Sequence, residues 1–294
     1  MRLALLFLCT LAVTGCVRHL GAPEGEPPAL PDYNVAVIED RVYTPDDWPQ
    51  ALHADLYRPQ PNGRYPAVLM VHGGGWERRS PEDTAALSRR LAEQGFVVVN
   101  IEYRFAPEYT FPAQLHDLQM AMRWLHVHAD DYGIDRSRVG AWGYSSGAHL
   151  VTLLATVAAD TESPLNEPYG GPVTRPRAVV AGGTPTDLRK FQGGTLVPQF
   201  LGGPQDSNAA TYAAASPVTH VGADTPPHLL YHGTLDSVVP VDHAEDYRTA
   251  LNANGVDNEL LLLRGKGHVA AFLFSGAAED AGAAFLARTL TPAH

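Results

Sequence analysis

Residues 138–151 read RVGAWGYSSGAHLV. The apolar run VGAWGY gives way within two residues to GAHLVTLLATVAA, which has the length and composition of a buried helix. At the changeover stand Ser145 and Ser146, fenced by Gly143 and Gly147. A strand-to-helix turn this sharp forces its central residue into a strained backbone conformation, and flanking glycines let neighbouring chain pass close by. Gly-x-Ser-x-Gly spacing puts Ser145 at the apex. Ser145 then offers its hydroxyl, and Ser146 its backbone N–H. Taken alone the three fixed positions recur by chance in roughly one chain in ten at average composition. The surrounding pattern has to carry the reading.

That pattern is an alternation of apolar runs and helix-like runs. NVAVIEDRVY and ALHADLYRP read as two strands of period two, paired antiparallel. AVLMVHG (residues 67–73) is a continuous apolar run, as expected of a strand buried on both faces. SPEDTAALSRRLAEQG follows as a helix, with Ser80 as N-cap, Pro81 in its first position and Gly95 as its stop. After the strand FVVVNIEYR, the segment FPAQLHDLQMAMRWLHVHA sets Leu115, Leu118, Met122 and Leu125 on one helical face. AVVAGG, HLLYHGT and NELLLLRG are later strands, with VDHAEDYRTALNANG as a helix between the last two. Two opening strands and repeated β-α units predict an α/β chain with one mostly parallel sheet and helices on both faces. The connection 189–225, rich in Gly and Ala, is long for a compact domain and is expected to form a small lid or pocket wall.

With 294 residues and 45% hydrophobic content the chain can bury a full core. Its 21 basic and 32 acidic residues give a net charge of −11, without a basic cluster, which argues against nucleic acid as a partner. Arg2 and the apolar stretch LALLFLCTLAV are expected to form a lipoprotein signal peptide over residues 1–15, with an ordinary signal peptide cut nearby as the alternative. VTGC at 13–16 resembles the bacterial lipobox, which implies a mature chain that starts at a lipidated Cys16. Val17 in place of Asp then points to the outer membrane of the cell envelope. Residues 16–33 are expected to serve as lipidated Cys and tether, ahead of a single domain over 34–294. Cleavage would remove Cys9 and acylation would block Cys16, so neither a Cys nucleophile nor a Cys-based metal site is expected.

A serine hydroxyl needs a base, and among 13 histidines position selects His268, which follows the strand NELLLL in RGKGH. The base needs an acid to hold its tautomer. Asp236, in HGTLDSVVP after another strand, is the candidate, with Asp242, Glu245 and Asp187 as rivals. An anion formed on attack needs N–H donors. VHGGGW (71–76) supplies them after the strand AVLMV, with Gly74, Gly75 and Ser146 assigned and Trp76 kept as a candidate further contributor. His followed by three Gly arises by chance in only about a few chains per thousand. Each of these elements follows a predicted strand, so all converge on the carboxyl edge of the sheet. No histidine pairs with acidic residues at metal-ligand spacing, so no metal is expected.

HGGGW, EYRFAPEYTFPAQLHD, GYSSGAH, HGTLDSVVP and GKGH together resemble the α/β-hydrolase family over residues 34–290. The chain is most similar to the BD-FAE-like branch of feruloyl and acetylxylan esterases, with the hormone-sensitive lipase branch as a close relative. That second branch usually carries G-D-S-A-G-G, whereas Tyr144, Ser146 and Ala148 replace its Asp, Ala and last Gly here. The resemblance implies an eight-stranded, mostly parallel sheet and two-step acyl transfer on small or medium carboxylic esters, without metal or organic cofactor. Peptidase or aryl-formamidase chemistry uses the same triad and stands as the alternative. An inactive, membrane-tethered binding module is the reading from another class. The sequence carries no signal for oligomeric state.

Overall fold

The computed structural model describes residues 17–290, so the expected signal peptide (1–15) and Cys16 lie outside the described residues. Among the described residues nine strands form one sheet: β1 (Val17–Leu20), β2 (Asn34–Val42), β3 (His53–Gln60), β4 (Tyr65–Val71), β5 (Val97–Ile101), β6 (Ile134–Tyr144), β7 (Val179–Gly182), β8 (His228–Gly233) and β9 (Asn258–Leu263). Their spatial order is β1-β9-β8-β7-β6-β4-β5-β3-β2. The six strands from β9 to β5 run parallel, while β3, β2 and β1 are antiparallel to their neighbours.

Burial explains the parallel set. Ala67 to Val71 of β4 and all of β5 are sealed from solvent, because helices cover both faces. The helices are α1 (Ala85–Glu93), α2 (Ala113–Val127), α3 (Ala129–Tyr132), α4 (Ser146–Ala159), α5 (Leu196–Leu201), α6 (Gln205–Ala214), α7 (Asp242–Ala253), α8 (His268–Leu273) and α9 (Gly276–Leu290). One face of the sheet packs α2, with Leu115, Leu118, Met122 and Leu125 buried as their spacing predicts, together with α4, which is buried from Ser146 to Ala158. The other face packs Leu91 and Ala92 of α1 and Phe285 and Leu286 of α9.

Two expectations are corrected. The segment read as a tether opens with β1, which adds a ninth strand to the eight expected. Val17 lies opposite Leu263 and Leu20 opposite Leu260, so β1 covers what would otherwise be the bare edge of β9. Further on, Pro31 and Tyr33 pack where a side chain on Gly95 would sit, and Tyr33 N–H donates to Glu93. The second correction concerns Ser80, whose side chain makes no capping bond. A 3-10 turn over Pro81–Thr84 precedes α1, and the buried Asn100 of β5 accepts from Thr84 and donates to the Pro81 carbonyl.

Candidate active site

Ser145 sits between β6 and α4 with φ 54° and ψ −122°, a conformation rarely adopted by a residue with a side chain. The turn holds because chain passes through the spaces its glycines leave. A Cβ on Gly143 would lie 2.4 Å from the Gly147 carbonyl carbon, and one on Gly147 would lie 2.2 Å from the Val71 oxygen. The Ser145 N–H is tied to the Gly182 carbonyl of β7 at 2.7 Å.

The four chemistry-bearing loops meet here because β4, β6, β7, β8 and β9 are consecutive in the sheet and end on one edge. His268 Nε2 lies 2.9 Å from Ser145 Oγ, and its Nδ1 lies 2.6 Å from Asp236 Oδ2. Burial pushes the Asp236 carboxyl up, but hydrogen bonds from His232, His268 and the Val239 N–H outweigh it and hold the group well below the usual carboxylate range. An ionised Asp236 can only accept. The proton of the neutral His268 ring therefore sits on Nδ1, and Nε2 is free to accept from the Ser145 hydroxyl.

The rivals for the acid are engaged elsewhere. Asp242 pairs with Lys190 at 3.1 Å, Asp187 pairs with Arg189 at 2.8 Å, and Glu245 is exposed on α7. His149 serves as a core residue: it accepts from Trp76 Nε1 at 3.2 Å and contacts the Ala215 carbonyl at 2.7 Å. Burial lowers its pKa to about 4, so it is neutral at pH 7. This neutral ring fixes Trp76, which stacks on Phe200 with centroids 4.5 Å apart.

Beside Ser145 opens a cavity of about 200 Å³. Gly75, Trp76 and Ser146 line it, with Phe191, Gly193 to Val197 and Val238 as its walls. Of these walls, Phe191 and Gly193 to Val197 belong to the long connection after β7. Gly74, Gly75 and Trp76 all have positive φ. Gly75 and Ser146 reach the cavity, whereas the space where Gly74 would carry a Cβ is filled by the Arg78 carbonyl.

Two contributors escaped sequence reasoning. His232 of β8 is buried, with Nε2 2.8 Å from the Val239 carbonyl and 3.4 Å from Asp236 Oδ2, so a second histidine backs the carboxylate. Its signal was available as a His four residues before the acid in HGTLD. Tyr144 donates its hydroxyl to the His268 carbonyl at 2.5 Å and sets its ring against that imidazole, with centroids 5.2 Å apart.

Fold and site together define an α/β-hydrolase with a serine at the strand-to-helix turn. The BD-FAE family matches residues 54–251, and the chain belongs to it. Among curated proteins the chain is similar to the probable carboxylic ester hydrolase LipM of Mycobacterium tuberculosis. The two are 32% identical over 214 residues, which cover 68% of this chain and 49% of LipM. The chain spans about half the length of the curated relatives it matches, from 48% to 60% of the first three. A truncated carbohydrate esterase from gut microbiota shares the fold, with a TM-score of 0.79, 23% identity and coverage of 91% of this chain and 100% of that one. The propionate-bound esterase Est2 of the planctomycete Thermogutta terrifontis superposes with a TM-score of 0.71 at 25% identity, over 91% of this chain and 98% of that one.

Proposed function

We propose that the chain is a serine carboxylic ester hydrolase acting on small or medium esters through an acyl-enzyme. The observation that carries this reading is the unbroken relay from Ser145 through His268 to a carboxylate held ionised. His268 Nε2 takes the Ser145 proton as Oγ attacks the ester carbonyl. The resulting oxyanion is met by the N–H groups of Gly75 and Ser146, with Gly74 or Trp76 completing the set. His268 then gives its proton to the leaving alcohol, and water repeats the sequence on the acyl-enzyme. The preference for small or medium esters is supported by the cavity of about 200 Å³ and by its apolar walls at Trp76, Leu196, Val197 and Val238. The site of action is the cell envelope, with a lipid on Cys16 as the anchor.

Purified full-length chain assayed on p-nitrophenyl acetate, butyrate and octanoate, with a p-nitroanilide beside them, tests the reading. Turnover is expected on the short esters, and Ser145→Ala should lower it by at least roughly 10³-fold. Retained activity in that variant removes Ser145 as nucleophile. Anilide turnover above that of every ester replaces ester hydrolysis with amide hydrolysis. Cell fractionation of Cys16→Ser tests the anchor: the variant should leave the membrane fraction, and an unchanged distribution refutes lipidation there.

A further inference from the structure

The chain upstream of Val17 joins the domain at the active-site edge. β1 runs antiparallel to β9, and Val17 lies opposite Leu263, the last residue of β9, which itself lies opposite Gly233, the last residue of β8. Asp236 follows Gly233 by three residues, and His268 follows Leu263 by five. Two strand spacings of about 4.8 Å separate β1 from β8. An anchor carried on Cys16 is therefore joined, with no intervening tether, at the edge that bears the acid and the base.

The same edge carries most of the exposed apolar bulk. Among the described residues, eight large hydrophobic side chains are exposed, and five of them fall in the two rim segments 234–239 and 264–274. These are Leu235, Val238, Val269, Leu273 and Phe274, each more than half exposed. The segments form one surface: Leu235 N–H donates to the Lys266 carbonyl at 3.0 Å, Gly265 N–H to the Thr234 hydroxyl, and Lys266 Nζ to the Phe274 carbonyl. In a chain of net charge −11 this rim is also free of exposed acid. Its one carboxylate, Asp236, is buried, and its other charged side chains are Arg264 and Lys266.

Resting on the esterase and lipid-anchor reading, we propose that this rim docks on the surface of a phospholipid bilayer, so that the active site takes its esters from the membrane interface. Exposed aliphatic and aromatic side chains flanked by cations suit the boundary between headgroups and acyl chains. The anchor removes most of the cost of bringing them there, because it holds the rim at high local concentration. Among the described residues no helix is long and apolar enough to cross a membrane, and the contact proposed is a surface one.

The test compares the acylated full chain, reconstituted into vesicles of phosphatidylethanolamine and phosphatidylglycerol, with the Cys16→Ser chain in free solution. Hydrogen exchange is read by mass spectrometry. Docking predicts that amides of 234–239 and 268–274 exchange at least roughly tenfold more slowly on vesicles, while residues 127–138 are unchanged. Leu273→Glu combined with Phe274→Glu should abolish that protection in a chain that stays anchored. Its p-nitrophenyl acetate turnover should stay within about twofold, since both side chains are exposed and neither lines the cavity. Equal exchange on and off vesicles, in a chain whose Cys16 carries acyl groups by mass, overturns the proposal. So does protection already present in the Cys16→Ser chain that fades on dilution, which would assign the rim to a second copy. Ester turnover in the same preparations judges the esterase reading separately.

Discussion

His149 lies inside α4 with no exposed surface, and its two ring nitrogens are committed to Trp76 and to the Ala215 carbonyl. Burial lowers its pKa to about 4, whereas in the unfolded chain it returns to about 6.5. Between those values the unfolded chain binds a proton that the folded chain refuses, so stability falls as the pH falls. Moving from pH 7.5 to pH 5 should cost about 2 kcal/mol through this one residue. His228 and His243 are lowered to about 4 for the same first cause, burial, and the three together amount to about 6 kcal/mol. Against a usual total of about 5–15 kcal/mol that is a large share, and it is lost as the pH falls from 6.5 towards 4. Urea titrations at pH 7.5 and pH 5, followed by fluorescence of the four tryptophans, measure the loss directly. His149→Gln keeps a donor and an acceptor but cannot titrate. Its loss between the two pH values should be smaller than that of the wild type by about 2 kcal/mol. Equal losses in the two proteins would refute the argument that buried neutral imidazole sets the acid limit.

Asp236→Asn should lower ester turnover by roughly 10³–10⁴-fold, while Asp242→Asn, whose partner is Lys190, should leave it unchanged; the reverse pattern in a p-nitrophenyl ester assay reassigns the acid. Gly147→Ala would push a Cβ to within 2.4 Å of two backbone oxygens, those of Val71 and His72, and should destabilise by about 3 kcal/mol, read as a lower urea midpoint. An unchanged midpoint there would mean the turn has more room than its geometry allows. Leu196→Ala removes a cavity wall that packs against Gly75 and should shift preference toward longer acyl chains by roughly tenfold, measured as the octanoate-to-acetate ratio of kcat/KM.

The parts of this fold that were legible in the sequence are those written locally. GYSSG between an apolar run and an apolar helix specifies its turn within about ten residues, and HGGGW is read the same way. His268 was legible from its place on a loop between a strand and a helix, and Asp236 from its loop position against Asp242 and Glu245 within a helix; Asp187, also on a loop after a strand, is set aside by its pairing with Arg189. What could not be read depends on pairing between distant segments. VRHL is four residues beside a Pro- and Gly-rich stretch, and only the open edge of β9, at the far end of the chain, makes it a strand. Ser80 has the residue type of an N-cap, yet the start of α1 is organised by Asn100 reaching across from β5. His232 looked like one more residue of the buried strand HLLYHG, and its contact with Asp236 depends on how tightly the β8 loop turns back.

In the proposed reaction, that loop would also decide where the proton stays. Asp236 Oδ1 accepts from the N–H groups of Val238 at 2.9 Å and Val239 at 2.8 Å, while Oδ2 faces His268 and His232. Each of these contacts is a donor, so each favours the charged carboxylate and penalises its protonated form. A carboxyl held ionised in this way has no reason to take the proton that the proposed mechanism moves from Ser145 to His268. In that mechanism the charge pair of imidazolium and carboxylate would be the species stabilised as the tetrahedral intermediate forms. An amide at position 236 can keep the two loop N–H groups through its oxygen, but its NH2 is a donor where the carboxylate offered an acceptor, and it cannot restore the negative charge. With the oxygen kept on the loop, the NH2 would face the imidazole and force its proton to Nε2, toward Ser145, where no lone pair remains to accept the hydroxyl hydrogen.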